Sequence, residues 1–304
     1  MPLKISTNVC CEFSIEMVLV VPYAYWLFKH GLLENTISAK DTQALYFFSE
    51  NHEERYDARA ISMEKSGITG NIPNSWIHHN SKAILGKEYS ELTLEEQIKV
   101  NGKLDFTQWE FPPFKEYYKN DLFVFEKPLL IISNKYAAEW RQNPINYLDI
   151  SILQELFRML HGRYTIIYRR ALNGDHPIDE NEQEFNGDIR ANIPEIGDLT
   201  DHEYCKLVGI TTFQDIMKEY PTLTYNQVQF LLYANCDNYI SVQGGNGTIC
   251  SAFGKKNINY IKEGKESRPG YMDEDSFYHK MNGCKNILVR NYQELIEKVK
   301  SEYL

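Results

Sequence analysis

The sequence predicts an α/β protein built on parallel strands with helices packed against both faces. Three observations carry this. In the second half of the chain, short strand-length apolar runs alternate with helix-length amphipathic runs. At least one of those strands, Leu129–Ser133, is continuously apolar, the pattern of a strand buried on both sides. A third run, Tyr239–Val242, passes through Gln243 into Gly244-Gly245 and straight on into a helix. That is the strand–turn–helix junction of a parallel unit, with glycine where the backbone must approach something closely.

Taken in order, Lys4–Val9 reads as a first strand and Ser14–His30 as an apolar helix stopped by Gly31. Ala44–Phe48 is a short strand candidate, Ile68–Asn80 is turn-rich, and Leu92–Asn101 is a polar helix with Glu95 and Glu96 early in it. Trp109–Lys119 contains paired prolines and reads as a connector, with Pro128 close behind. The domain boundary is therefore expected near residue 125, giving segments 1–125 and 126–304. Beyond it come strand Leu129–Ser133, helix Ile150–Leu160 ended by Gly162, and strand Tyr164–Tyr168. An acidic Gly/Asn-rich loop, Asn173–Asn192, follows. Next are helices Thr211–Glu219 and Tyr225–Asn235, strand Tyr239–Val242 and helix Gly247–Phe253. Strands Ile258–Ile261 and Ile287–Val289 and the closing helix Tyr292–Tyr303 complete the chain.

Composition narrows the function classes. With 304 residues, 43% hydrophobic and 24% charged, the chain has enough apolar residues for a sizeable core. Its formal charge of −10 argues against general nucleic-acid binding, which needs a basic face. Cys10, Cys11, Cys205, Cys236, Cys250 and Cys284 form no CxxC pair and no zinc spacing, so free thiols in a reducing compartment are expected. The apolar run Ile15–Phe28 is too short to span a bilayer and contains Glu16 and Pro22. It also lacks the flanks of a signal peptide. A cytoplasmic protein with no membrane span is the expectation.

Candidate chemistry gathers where strands of such a sheet end, since ligands bind beyond their carboxyl ends. Lys135 follows one strand, Arg169 and Arg170 close the next, and Gly244, Gly245, Asn246, Gly247 and Thr248 form the glycine turn. A lysine, an arginine or two, and the amide-rich start of a helix can converge on one diphosphate without a metal. The turn is neither GxGxxG nor a GxxxxGK[ST] P-loop. In Tyr260-Ile261-Lys262-Glu263-Gly264-Lys265-Glu266, a carboxylate follows a further strand and can accept from ribose hydroxyls. The plain alternatives are a tight connection at the turn, a solvated Lys135, and arginines paired with Asp175, Asp179 and Glu180. Glu139 and Trp140 read as structural.

In this order of elements the chain resembles GT-B type glycosyltransferases over roughly residues 128–304. The resemblance rests on Asn-Lys-Tyr-x-x-Glu-Trp, Tyr-x-Ile-Ile-Tyr-Arg-Arg, Ala-Asn-x-Asp-Asn-Tyr-Ile-Ser-Val-Gln-Gly-Gly-Asn-Gly-Thr and the Glu-Gly-Lys-Glu turn. It implies two Rossmann-like domains, the first for the acceptor and the second for a nucleotide-sugar donor. Gly245, Asn246, Gly247 and Thr248 match that family's donor-phosphate turn, and Glu266 its ribose-binding carboxylate, with Glu263 the alternative. The implied reaction moves a sugar from a UDP- or GDP-linked donor to a hydroxyl of a glycan or glycoconjugate, with inversion. Segment 1–125 departs from the pattern, lacking a clear glycine-rich first loop.

An inverting transfer needs a base for the acceptor hydroxyl. Glu16 is the candidate, a carboxylate in an apolar helix following the first strand; burial there would strengthen it as a base. His52, His78 and His79 are its rivals. Asp-Glu-Asp at 273–275 has Asp-x-Asp spacing only formally, so no metal and no cofactor beyond the co-substrate is expected. Two other readings fit the same architecture: a sugar-nucleotide epimerase, and a scaffold that keeps the fold without turnover.

Overall fold

The computed structural model describes residues 4–60, 65–138, 143–172, 175 and 187–304. By its contacts the chain divides into two compact units. The first comprises the chain up to Phe114 together with Arg268–Gly283; the second runs from Lys115 and holds the rest of the described chain. The division falls between Phe114 and Lys115, inside the proline-rich connector and about ten residues before the expected boundary near residue 125.

In the first unit, β1 (Ile5–Asn8) leads into a continuous helical stretch: α1 (Phe13–Ile15), a π turn (Glu16–Val20) and α2 (Val21–Lys29). The π turn comes just before Pro22, whose missing N–H would otherwise break an α-helical ladder. The helix ends at Gly31, at φ +67, as its sequence predicts. Then come β2 (Leu33–Ala39) and β3 (His52–Tyr56), which pair in parallel in the order β1-β2-β3. Ala44–Phe48, expected as a strand, is instead a series of turns between β2 and β3; its Ala44, Leu45, Tyr46 and Phe48 are buried there. Hydrophobicity marked the segment because it packs inward. The true strands were hidden because β3, His-Glu-Glu-Arg-Tyr, lies largely exposed. Three strands in sequential order have no reversal and so no switch point. Helices α3 (Asn80–Leu85), α4 (Leu94–Val100) and α5 (Phe114–Tyr118) follow, the last spanning the division.

The second unit contains one parallel sheet. Its elements are β4 (Leu129–Asn134), α6 (Ile150–Leu160), β5 (Thr165–Arg170), an antiparallel hairpin of β6 (Arg190–Ile193) and β7 (Gly197–Thr200), α7 (Asp201–Leu207), β8 (Thr211–Thr212), α8 (Phe213–Glu219), α9 (Tyr225–Ala234), β9 (Asn238–Val242), α10 (Gly245–Phe253), β10 (Lys256–Tyr260), β11 (Lys285–Val289) and the closing helix Tyr292–Tyr303. The sheet order is β11-β10-β9-β4-β5-β8, and every neighbouring pair is parallel. The chain starts at the centre with β4, winds outward through β5 and β8, then returns to lay β9, β10 and β11 on the other side. This doubly wound order places its switch point between β4 and β9, the position at which open sheets of this kind bind ligands beyond their strand ends.

Alternation along the strands gives each face its own core. Leu130, Ile132, Ile166, Tyr168, Ile240, Val242, Ile258 and Tyr260 pack with Leu153, Leu156 and Leu160 of α6 and with Leu295 and Val299 of the closing helix. On the opposite face, Tyr239 meets Tyr233 of α9, which in turn meets Phe253 of α10. The helices are capped by their sequences: Asp149 caps α6, and Thr200, Thr212 and Thr224 cap α7, α8 and α9 in capping boxes. Of α6–α10, only α10 begins with no side-chain cap.

Candidate functional site

The uncapped start of α10 lies at the switch point. Gly244, its N-cap, sits at φ +89 and ψ −146, a conformation essentially reserved for glycine. A Cβ at this position would meet Lys135 Nζ at 3.5 Å, so the lysine that follows β4 reaches over the turn. The first N–H groups of α10 and this ammonium thus share one corner, which favours an anion.

Arg169 completes the corner. It is 6% exposed, and its guanidinium donates through Nη1 to Asn246 Oδ1 in the first turn of α10. Asn246 Nδ2 donates to Asn134 O at 2.9 Å, tying the helix start to the end of β4. The guanidinium also lies over the Tyr225 ring, 5.6 Å from its centroid. Among the described residues Arg169 Nε has no hydrogen-bond partner and no carboxylate pairs with the side chain. A buried arginine without a counter-ion is costly, and most buried polar groups are satisfied, so the site has the electrostatics of an anion receptor.

Arg170 does something different, and strand geometry is the reason. Adjacent residues of β5 point to opposite faces. Arg170 therefore faces α7, where Nε and Nη2 grip the Asp201 carboxylate at 2.5 and 2.7 Å; both partners are buried. Tyr168 donates to the same carboxylate at 2.5 Å and itself accepts from Asn134 Nδ2 at 2.9 Å. Burial, and then the Asp201 charge, push the Tyr168 phenol well above its usual range. Arg170 is thus occupied as a buried structural ion pair, a correction to its expected phosphate contact. Its main partner is Asp201; the acidic loop touches it only through Asp188, farther off at 3.5 Å, and the Gly187 carbonyl at 3.3 Å. Asp175 accepts from Leu172 N and Gln214 Nε2, while Asp179, Glu180, Glu139 and Trp140 lie outside the described residues.

The remaining turn residues divide into surface and support. Gly245 is partly exposed. Thr248 is buried, and its hydroxyl donates back to Gly244 O at 3.3 Å, so it closes the helical turn rather than facing outward. At Gly247 a Cβ would meet Asn259 Nδ2 at 2.5 Å, which makes this glycine a packing requirement between α10 and β10.

Glu266 lies in a half-buried turn after β10, and both its oxygens accept from Gln243 Nε2 at 2.8 Å. Gln243 Oε1 accepts from Lys135 Nζ at 3.0 Å. Gln243 is the connector that residue-by-residue reading of the sequence passed over. Its signal was position: it immediately precedes the Gly244-Gly245 pair. The alternative carboxylate, Glu263, is exposed; its N–H donates to Asn146 Oδ1 at 3.1 Å.

Glu16 belongs to the first unit and is fully buried. Its carboxylate accepts from Ser38 Oγ, Tyr46 Oη at 2.7 Å, and Arg59 Nη1. No part of it meets solvent, and three donors converge on it, which is the geometry of an internal ion pair rather than of a base open to an acceptor. Its rival His52 is also turned inward, with Nδ1 2.8 Å from Thr36 Oγ1 and Nε2 2.9 Å from Thr42 Oγ1.

None of the six cysteines forms a disulfide. Among the described residues no group of three or more His, Cys, Asp or Glu is placed to hold a metal ion, and no helix is long and apolar enough to cross a membrane. In comparisons with known proteins, no family model, no curated protein and no solved structure matches the chain.

Proposed function

We propose that the protein is a glycosyltransferase of the GT-B kind, with two Rossmann-like domains, using a UDP- or GDP-linked sugar without a metal ion. The observation that carries this reading is Arg169: a buried cation with no carboxylate partner among the described residues, set against the uncapped start of α10 and beside Lys135. When the bond between the sugar and the diphosphate breaks, negative charge grows on the leaving diphosphate. Amides and cations already fixed at that point stabilise it without reorganising. Glu266, oriented by Gln243, suits the ribose of the same nucleotide. The acceptor is a hydroxyl of a glycan or glycoconjugate. The burial and saturation of Glu16 support a framework role for it, so the acceptor base is to be sought elsewhere.

The test is a melting-temperature panel with UDP, GDP, CMP and their sugar conjugates, each with magnesium or EDTA. A ligand that binds only the native state at a hundredfold excess over its Kd adds about 2.7 kcal/mol of stability. The expected result is a shift with one nucleoside diphosphate, the same in EDTA and absent in Arg169→Met. No shift with any nucleotide, or an undiminished shift in Arg169→Met, sinks the reading.

A further inference from the structure

We propose that Gln243 is a positioning residue that couples the phosphate end of the donor site to its ribose end, making the site select a ribonucleoside diphosphate over its 2′-deoxy counterpart. The proposal rests on the nucleotide-binding reading above and adds a specificity device to it.

Gln243 is the residue between the last position of β9 and the Gly244 turn, and only 8% of it is exposed. Its Nε2 donates to both Glu266 oxygens at 2.8 Å, while Oε1 accepts from Lys135 Nζ at 3.0 Å and from Asn146 Nδ2 at 3.4 Å. The amide can adopt only one orientation. Flipped, its NH2 would face an ammonium and its oxygen a carboxylate. A carboxylate has about four lone-pair directions; Gln243 takes one on each oxygen and so fixes the plane of the others. Asn146, 1% exposed, extends the frame. Its Oδ1 accepts from Lys262 N at 2.8 Å and Glu263 N at 3.1 Å, holding the turn that carries Glu266. One neutral side chain thus sets the direction of a carboxylate suited to a vicinal diol and the position of the lysine above the Gly244 turn. It also keeps these opposite charges from neutralising each other directly.

A carboxylate aimed in this way discriminates against a missing hydroxyl, because the analogue leaves it without its donor. The experiment measures calorimetric affinities of UDP, GDP, 2′-deoxy-UDP, 2′-deoxy-GDP and inorganic pyrophosphate for the wild type, Gln243→Met and Glu266→Gln. The wild type is expected to favour one ribonucleotide over its deoxy form by about tenfold or more. In Glu266→Gln that ratio collapses while pyrophosphate affinity holds. In Gln243→Met the ratio collapses and pyrophosphate affinity falls as well, a joint loss that a purely structural role at either end would not give. The melting temperature of unliganded Gln243→Met checks its fold; if it is unfolded, Glu266→Gln alone decides. A wild-type ratio near one, or an unchanged ratio in a folded Gln243→Met, overturns the proposal and leaves the nucleotide site standing. Failure of the wild type to bind any nucleoside diphosphate overturns both.

Discussion

Arg169 and Arg170 are chemically identical neighbours with opposite environments, and one bond of strand geometry separates their fates. Arg170 is locked to Asp201 inside the α7 face, whereas Arg169 has Asn246 and the Tyr225 ring but, among the described residues, no carboxylate. Removing one partner of a buried ion pair leaves a stranded charge and costs about 3–5 kcal/mol. Arg170→Met is therefore expected to lose that much in urea denaturation, by leaving Asp201 uncompensated. Arg169→Met deletes a buried charge that has no carboxylate partner among the described residues and leaves the Asn246 oxygen unpaired, so its loss should be smaller, about 1–2 kcal/mol. Equal losses in the two variants would show that Arg169 is held by its surroundings as firmly as Arg170. The sequence displayed both arginines and marked both for phosphate. It could not sort them, because the sorting depends on which face Asp201 approaches, and Asp201 lies across a hairpin from β5.

At the scale of elements, the glycine turn is where sequence and structure agree most closely, and glycine chemistry explains why. A residue at φ +89 and ψ −146 tolerates almost nothing else, so Gly244 announces its turn in the sequence. Gly247 announces nothing, since its role is to let α10 press onto β10 against the fully buried Asn259. Gly247→Ala inserts a methyl where the nearest atom stands at 2.5 Å, and overpacking of this kind costs about 1–3 kcal/mol. The expected outcome is a lower denaturation midpoint together with weaker nucleotide binding, because the start of α10 must move. Shortening the neighbour, in Gly247→Ala/Asn259→Ala, should restore part of both; no recovery would mean that the contact is not what limits the helix. The amphipathic helix α6 and the apolar strand β4 were equally legible, since core periodicity is a local property. Strands β2 and β3 were not. His52–Tyr56 is polar along most of its length, and a strand held mainly by one neighbour's backbone needs no apolar signature.

For the molecule as a whole, the response to acid follows from two inward-facing histidines, one in each unit. Burial lowers the pKa of His52, despite opposing charges on Glu16 and Glu54, and likewise lowers that of His202 against the charge of Asp201. When the folded pKa lies below the unfolded value of about 6.5, the unfolded chain binds the proton first. The stability these groups contribute is complete above that value and is lost as pH falls through it toward the folded pKa. Melting temperature should therefore drop between about pH 7 and pH 5, with a shallower slope in His52→Gln and His202→Gln. An unchanged slope in both variants would assign acid sensitivity to the carboxylates instead. The two-unit plan was legible at the prolines of the connector, but not the return of Arg268–Gly283 to the first unit, which no local pattern marks. That return has a cost in time. Asn101 donates to Pro269 O at 2.8 Å, Phe277 N to Gly102 O at 2.9 Å, and Lys103 pairs with Asp275. A ribosome finishes the first hundred residues long before it makes the segment that completes them. During synthesis the amino-terminal unit must wait, unfinished, while the whole sheet of its neighbour up to β10 emerges; a fragment ending at residue 114 should carry the same defect permanently.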